Sequence, residues 1–406
     1  MKPKKIGNFR GMNNRLPDTD LDSQDGSYLR NAVNVDISSR GQISRRGGST
    51  IQSAGTDCHS LFGDGNVGYY VEYDKLIKID SDGLITEISG NIKPGLRMSF
   101  CKTPTGLVCT NGESIWRIEG DALVHHGLPV PSNQPSVSAA PGGSIRPGRY
   151  QFAVAHVGLD GEISGTTDPV SIEVAAGSVL TISGLRTDLH DLVLYMTEAN
   201  GDLLYEVSRR MSGTAVLGMM PSLGARCETI RKLPMPAGHI VRHLNGRLLV
   251  ASGNFVYYSD TYALALHDPA VNYIPFPERV MMIEPCLNGF YVSADKTYWV
   301  AGDAGSAEAI PVLPYRAIEG TPSPDPNGSQ VLWMSEKGMV MGDQNGQVKN
   351  IQEGAVAVSG SGVGASLFRE QGGVKQMLAS MTNQGQTVVA ARSYMDAEII
   401  RKREVL

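Results

Sequence analysis

The sequence predicts an all-β fold: a degenerate β-propeller of about six blades with an inserted immunoglobulin- or fibronectin-like β-sandwich. Three observations lead there. Short apolar runs are closed again and again by Asn-Gly or Asp-Gly, the pairs that accept the positive φ angles of tight hairpin turns. A loose unit of run, turn and aromatic-ended run recurs along the chain. Between Pro131 and Leu233 that rhythm gives way to a different one.

The turn pairs stand at Asp64-Gly65, Asp82-Gly83, Asn111-Gly112, Asp160-Gly161, Asn200-Gly201, Asn245-Gly246, Asn288-Gly289 and Asn345-Gly346. The clearest repeat runs from His243 to Ser259, where Leu248 to Ala251 form one strand and Phe255 to Tyr258 the next. Its neighbour places Phe290, Tyr291 and Val292 after a turn, then Tyr298, Trp299 and Val300. Similar units occupy Gly68 to Ile88, Leu107 to Val124, Val331 to Ile351 and Val374 to Tyr394. Contiguous copies are about 30 to 45 residues apart, the spacing of propeller blades. A propeller closes by pairing strands from its two ends, which removes exposed sheet edges. The segment Ala32 to Ser44 is the expected closing strand.

The middle opens with the Pro/Gly-rich stretch Pro131 to Pro147 and continues into Tyr150, Phe152, Val154 and His156, whose alternation marks a strand with one buried face. Val170 to Val174, Val179 to Ile182, Leu192 to Met196 and Leu203 to Val207 follow. About six or seven strands in roughly 100 residues fit a small sandwich. No disulfide pair with a core tryptophan is legible, so the fibronectin-like form is preferred. The expected division is 1–130 and 234–406 for the two propeller parts and 131–233 for the insert.

With 406 residues the chain exceeds one small core, and 41% hydrophobic against 19% charged residues is the balance of a folded protein. A net charge of −5 argues against a surface that grips nucleic acid throughout, but permits a channel that DNA passes. The basic stretches around Lys2, Lys4, Lys5 and Arg10, from Arg40 to Arg46, and at Arg401, Lys402 and Arg403 read as solvated surface or subunit contacts. Cys58, Cys101, Cys109, Cys227 and Cys286 are odd in number and widely spaced, which fits a reducing compartment. Cys101 and Cys109 read as core thiols. No signal peptide and no run of about 20 apolar residues is legible, so the expectation is a protein made in the cytoplasm without a membrane span.

The catalytic and metal patterns are weak. His125 and His126 are adjacent and face opposite sides of a strand. His239 and His243 have helical spacing, but Pro236 and Asn245-Gly246 favour a strand. Asp18, Asp20, Asp22 and Asp25 begin like a calcium loop, yet Ser23 stands where glycine is needed and Leu29 where glutamate is needed. Gly360-Ser361-Gly362 lacks the nucleophile elbow. Asp64 with Glu72, or Asp295 with Glu284, would serve a glycosidase only across one cleft. The expectation is therefore no catalytic, cofactor-binding or metal-binding residues, no cofactor, and no enzyme.

The amino end carries a family likeness. Phe9-Arg10-Gly11-Met12-Asn13-Asn14, then Leu29-Arg30-Asn31-Ala32-Val33-Asn34-Val35-Asp36, Gly41-Gln42-Ile43 and Arg45-Arg46-Gly47-Gly48, resembles the start of the hub, nozzle or DNA-stabilisation proteins of short-tailed double-stranded DNA phages. The segment from Gly148-Arg149-Tyr150 to Ser164-Gly165 and the hairpin at Asn245-Gly246-Arg247-Leu248 are similar to parts of that group. The resemblance implies a virion protein of the phage tail. It implies a homo-oligomeric ring, often a hexamer, below the portal and its adaptor proteins, with tail fibre or needle proteins as neighbours. It also implies transient, non-specific contact with double-stranded DNA in the channel during ejection. The competing expectation is a peripheral tail protein that binds a receptor or a polysaccharide.

Overall fold

The computed structural model describes residues 8–381 apart from 24–25, 39, 46–54, 186–189, 212, 306–307, 357, 359–361 and 372–373. The fold is all-β, and its main body is propeller-like. Five antiparallel four-stranded sheets follow one another. We number these blades 1 to 5. Blade 1 contains Cys58–Asp64, Val67–Glu72, Lys75–Asp80 and Ile85–Ile88. Blade 2 contains Ser99–Thr103, Gly106–Thr110, Ile115–Glu119 and Ala122–His125. Blade 3 uses Ile240–Leu244, Arg247–Ser252, Phe255–Tyr258 and Tyr273–Pro275. Blade 4 uses Met282–Cys286, Gly289–Ser293, Thr297–Ala301 and Ala309–Leu313, and blade 5 uses Ser323–Pro324, Gln330–Ser335, Gly338–Asp343 and Val348–Asn350.

The hairpin chemistry is visible in the turns. Asn245 and Gly246 have φ of 49° and 75°, so both central residues take the left-handed conformation that matches strand twist. Gly246 has a second reason to lack a side chain, because a Cβ there would lie 2.8 Å from the Tyr262 ring.

Consecutive blades pack face to face, and each seam has its own apolar core. Val71, Leu76 and Ile88 of blade 1 meet Phe100, Leu107, Cys109 and Trp116 of blade 2. Val108 and Ile115 then meet Val241, Leu248 and Val250. Leu249, Val256 and Tyr258 meet Ile283, Phe290 and Val300. Tyr291 and Trp299 meet Val331, Trp333 and Val340. A strand buried on both faces is what such stacking requires, and Gly289–Ser293 is buried at every position. Seam polar bonds fix the spacing: Tyr291 Oη donates to Asp343 O at 2.6 Å, and Arg247 Nε reaches Asp303 at 2.7 Å.

Two sheets make up the middle unit. Ser136–Ile145, Ser178–Leu185 and Gly213–Leu217 form one; Gly148–Val157, Ile163–Thr166, Val170–Val174, Asp191–Thr197 and Leu204–Met211 form the other. They share one core of Ile145, Tyr150, Phe152, Leu180, Ile182, Leu192, Leu194 and Met196. The unit is inserted between blades 2 and 3 and is tied to both. Arg117 of blade 2 pairs with Glu162 at 3.1 Å and Asp160 at 3.3 Å, and Lys232 pairs with Asp260. His156 Nδ1 bonds Pro129 O at 2.7 Å.

The ends differ from the expected plan. Within Ala32 to Ser44, Val35–Ile37 pairs with Ile43–Arg45 and both belong to a separate two-stranded sheet, so this segment supplies no closing strand to a blade. The place beside blade 5 is taken by a hairpin of Gly364–Gln371 and Val374–Met381. Gly364 N donates to Glu319 O at 2.7 Å, and Ser366 Oγ donates to Pro322 O at 3.0 Å. Of the six expected repeats, five belong to complete four-stranded sheets. The last, Val374 to Tyr394, begins in this two-stranded hairpin, and its remainder lies outside the described residues.

Candidate functional site at the propeller axis

The first strands of the blades stand side by side. Met98 N donates to Ser60 Oγ at 2.8 Å, and Val241 N donates to Ser99 Oγ at 3.1 Å. These strands mix Ser99, Arg242 and Glu284 among apolar residues, and the polar groups fall into two layers.

The inner layer is Arg242, Glu284 and Ser99. Arg242 Nε lies 3.0 Å from Glu284 Oε2, and its Nη1 donates to Ser99 Oγ at 3.2 Å and Val241 O at 2.8 Å. Glu284 is only 4% exposed, so an unpaired charge there would be costly. Burial pushes its carboxyl above the ordinary range, and the Arg242 guanidinium partly offsets that.

The outer layer sits just before the first strands. Arg279 holds Glu319 through two bonds of 2.6 and 3.2 Å. Arg97 Nη2 donates to Gly364 O at 2.9 Å, joining residues 267 positions apart. His239 Nε2 lies 2.7 Å from Val280 O, and burial holds its pKa below the usual imidazole value. Arg97, Glu319 and Gly364 thus span from blade 2 to the end of blade 5. Such an arrangement can hold charge and tie blades together.

The residues singled out in the sequence are scattered. His239 and His243 flank or lie in a strand, and His125 stacks on Trp116 with ring centroids 6.5 Å apart. His126 is buried, with Nε2 3.0 Å from Leu264 O. Asp18 pairs with Arg30, while Asp22 accepts from Ser27 Oγ at 2.6 Å; Asp25 lies outside the described residues. Ser361 also lies outside them. Asp64 pairs with Lys102, and Glu72 accepts from Thr56 N at the other end of the same hairpin. Asp295 accepts from Tyr298 Oη, while Glu284 is taken by Arg242, so neither acid pair shares a cleft. Among the described residues no three His, Cys, Asp or Glu side chains gather as a metal site, and no helix is long and apolar enough to cross a membrane. Arg97, Arg242, Arg279 and Glu319 escaped the sequence reading because each is an isolated charge in its own repeat. Their common position just before or within the first strand is the signal that aligning the repeats would have exposed.

The cysteines follow burial. The thiols of Cys101, Cys109 and Cys286 are pushed up to about 12 by desolvation, Cys227 is buried as well, and Cys58 is half-buried. A thiol-specific reagent at pH 8 is expected to modify Cys58 first in the folded protein. The four buried cysteines should react only after denaturation, because burial withholds the reactive thiolate.

The sequence matches no protein-family profile and no curated protein. Among solved structures, the chain is similar to virginiamycin B lyase from Staphylococcus aureus, at 11% identity over 80% of this chain and 92% of that one, with a TM-score of 0.35. A gluconolactonase from Xanthomonas campestris gives 11% identity over 80% and 84%, with a TM-score of 0.34. The Pan2 WD40 domain of Neurospora crassa gives 10% over 77% and 82%, with a TM-score of 0.32. The propeller-like arrangement rests on the chain's own consecutive sheets and shared seams.

Proposed function

We propose that this chain is a structural, non-enzymatic component of a phage tail: one subunit of a ring, six in number by family likeness, below the portal and adaptor that retains packaged DNA and conducts it during ejection. The observation that carries the reading is the amino-terminal pattern from Phe9 to Gly48. Its described part is physically suited to a subunit contact. It contributes no fully buried apolar side chain, and Val33 and Ile43 are 59% and 40% exposed. Short strands without a core gain their stability from what they pack against, and a neighbouring copy would supply that surface.

Because Arg97, Glu319 and Gly364 bridge the axis of the single propeller, the DNA conduit in this proposal lies between subunits. The inserted unit, read as a fibronectin-like sandwich, would face outward as a contact for fibre, needle or adaptor proteins. Light scattering and negative-stain imaging of the purified protein, with and without its portal-adaptor partner, test the reading. Closed rings with a central hole are expected. A monomer that persists beside the adaptor would overturn it and favour a peripheral binding protein.

A further inference from the structure

The chain leaves the propeller after blade 2 and returns to it before blade 3, and the two crossings run side by side. Gly127 on the outgoing crossing stands against the returning one: a Cβ there would lie 3.0 Å from Ala265 O and 3.4 Å from Pro234 Cβ. Leu233–Pro234 pairs with Leu266–His267, and Met235 N donates to Ala265 O at 2.8 Å. Gly165 of the inserted unit closes on both crossings, since a Cβ on it would collide with Lys232 O and stand 3.1 Å from Val130 Cγ2.

Three buried histidines hold this junction. His126 Nε2 lies 3.0 Å from Leu264 O, His156 Nδ1 2.7 Å from Pro129 O, and His267 Nδ1 3.2 Å from Leu233 O. A carbonyl oxygen only accepts, so in each case the ring nitrogen facing it carries the proton. On His126 the other nitrogen, Nδ1, is buried without a partner, and a second proton there would meet no acceptor. Arg117 faces His126, and the His190 ring stands 5.3 Å from that of His156; both oppose a positive charge. Against His267 stand the Tyr257 ring, edge-on at 5.9 Å, and the carboxylates of Asp260 and Asp268, which favour a charge. Asp260 is already paired with Lys232. Burial is the largest influence on all three rings and holds each below the ordinary imidazole pKa.

We propose that the junction between the propeller and the inserted unit is a pH-sensitive hinge, closed while His126, His156 and His267 are neutral and opened when they take up protons. A hydrated imidazole binds its proton near pH ~6.5, and the closed junction binds it more weakly. Closure is therefore fully present above about pH 6.5 and is lost as the pH falls. The hinge belongs to the chain itself and stands whether or not the chain forms a tail ring. Hydrogen–deuterium exchange of the full chain at pH 7.5 and pH 5.0, corrected for intrinsic exchange rates, reads the junction locally. Protection of the crossings at 126–131 and 232–238 is expected to fall about tenfold or more at the lower pH, the equivalent of one pKa unit. The blade strands Arg247–Ser252 and Gly289–Ser293 should keep theirs. The triple variant His126→Gln, His156→Asn, His267→Asn retains an N–H toward each carbonyl but takes up no proton, so its crossings should stay protected at pH 5.0. Unchanged protection in the wild type, equal loss in the blades, or equal loss in the triple variant would overturn the hinge. If the triple variant fails to fold, the midpoint of the wild-type loss decides. A midpoint above about pH 5 belongs to imidazoles, and one below it belongs to carboxylates and would overturn the hinge.

Discussion

Arg242→Met is expected to destabilise the protein by about 3–5 kcal/mol, the cost of breaking a buried ion pair from one side. The methionine fills much of the space, so the loss arises from Glu284, which stays buried without its partner. The effect should depend on pH in a defined direction. Burial already raises the Glu284 carboxyl above its ordinary value while Arg242 restrains the shift. Removing Arg242 raises it further, so the folded variant binds this proton more tightly than its unfolded chain does. Stability then falls as pH rises from the unfolded value through the folded one. Urea denaturation should therefore show a smaller gap between wild type and variant at pH 5 than at pH 8. A gap that is constant with pH would mean that the loss comes from packing alone. Arg242→Met with Glu284→Leu should recover much of the stability, since replacing both partners removes the orphaned charge.

Trp333→Ala should cost about 3–5 kcal/mol, the range for deleting a large buried aromatic. Trp333 is 0% exposed and stands at the seam of blades 4 and 5, with its ring centroid 5.3 Å from that of Tyr291. Its indole N–H has no hydrogen-bond partner among the described residues. Trp333→Phe should accordingly retain much of the stability, because the group it loses makes no bond. Thermal and denaturant midpoints of the two variants separate these terms. Equal losses would place the energy in the nitrogen and refute the packing argument. Against a total stability of about 5–15 kcal/mol, the alanine variant is expected to populate unfolded chains measurably at growth temperature.

The blades were legible where chemistry is local. The pair Asn245-Gly246 announces its turn, and the apolar runs at Leu248 to Ala251 and Phe290 to Val292 announce strands buried on both faces. The first strands were much harder to see. Ser99–Thr103, Ile240–Leu244 and Met282–Cys286 mix Ser99, Arg242 and Glu284 into short runs, and those polar groups find partners only when distant repeats meet. Alternation within one strand cannot report such a partner. The same limitation hid Arg97, whose bond to Gly364 depends on how far the row of sheets curves. The expected amino-terminal closing strand failed for a related reason. Strand propensity from Val35 to Ile43 says that a hairpin forms, but not which edge it joins, and the edge beside blade 5 is occupied by the hairpin from Gly364 to Met381.

Within each blade almost every ladder joins strands that are neighbours in sequence. Such pairings close short loops, whose entropic cost is small. As the chain leaves the ribosome, each hairpin can form soon after its second strand appears, and each new sheet finds an apolar face already waiting. The contact between Arg97 and Gly364 belongs to another timescale, because it joins the second blade to a segment made 267 residues later. Synthesis order thus makes the axial latch a late event of folding. A ribosome stalled before Gly364 would hold a nascent chain with most of its sheets assembled and its central cation still waiting for its backbone partner.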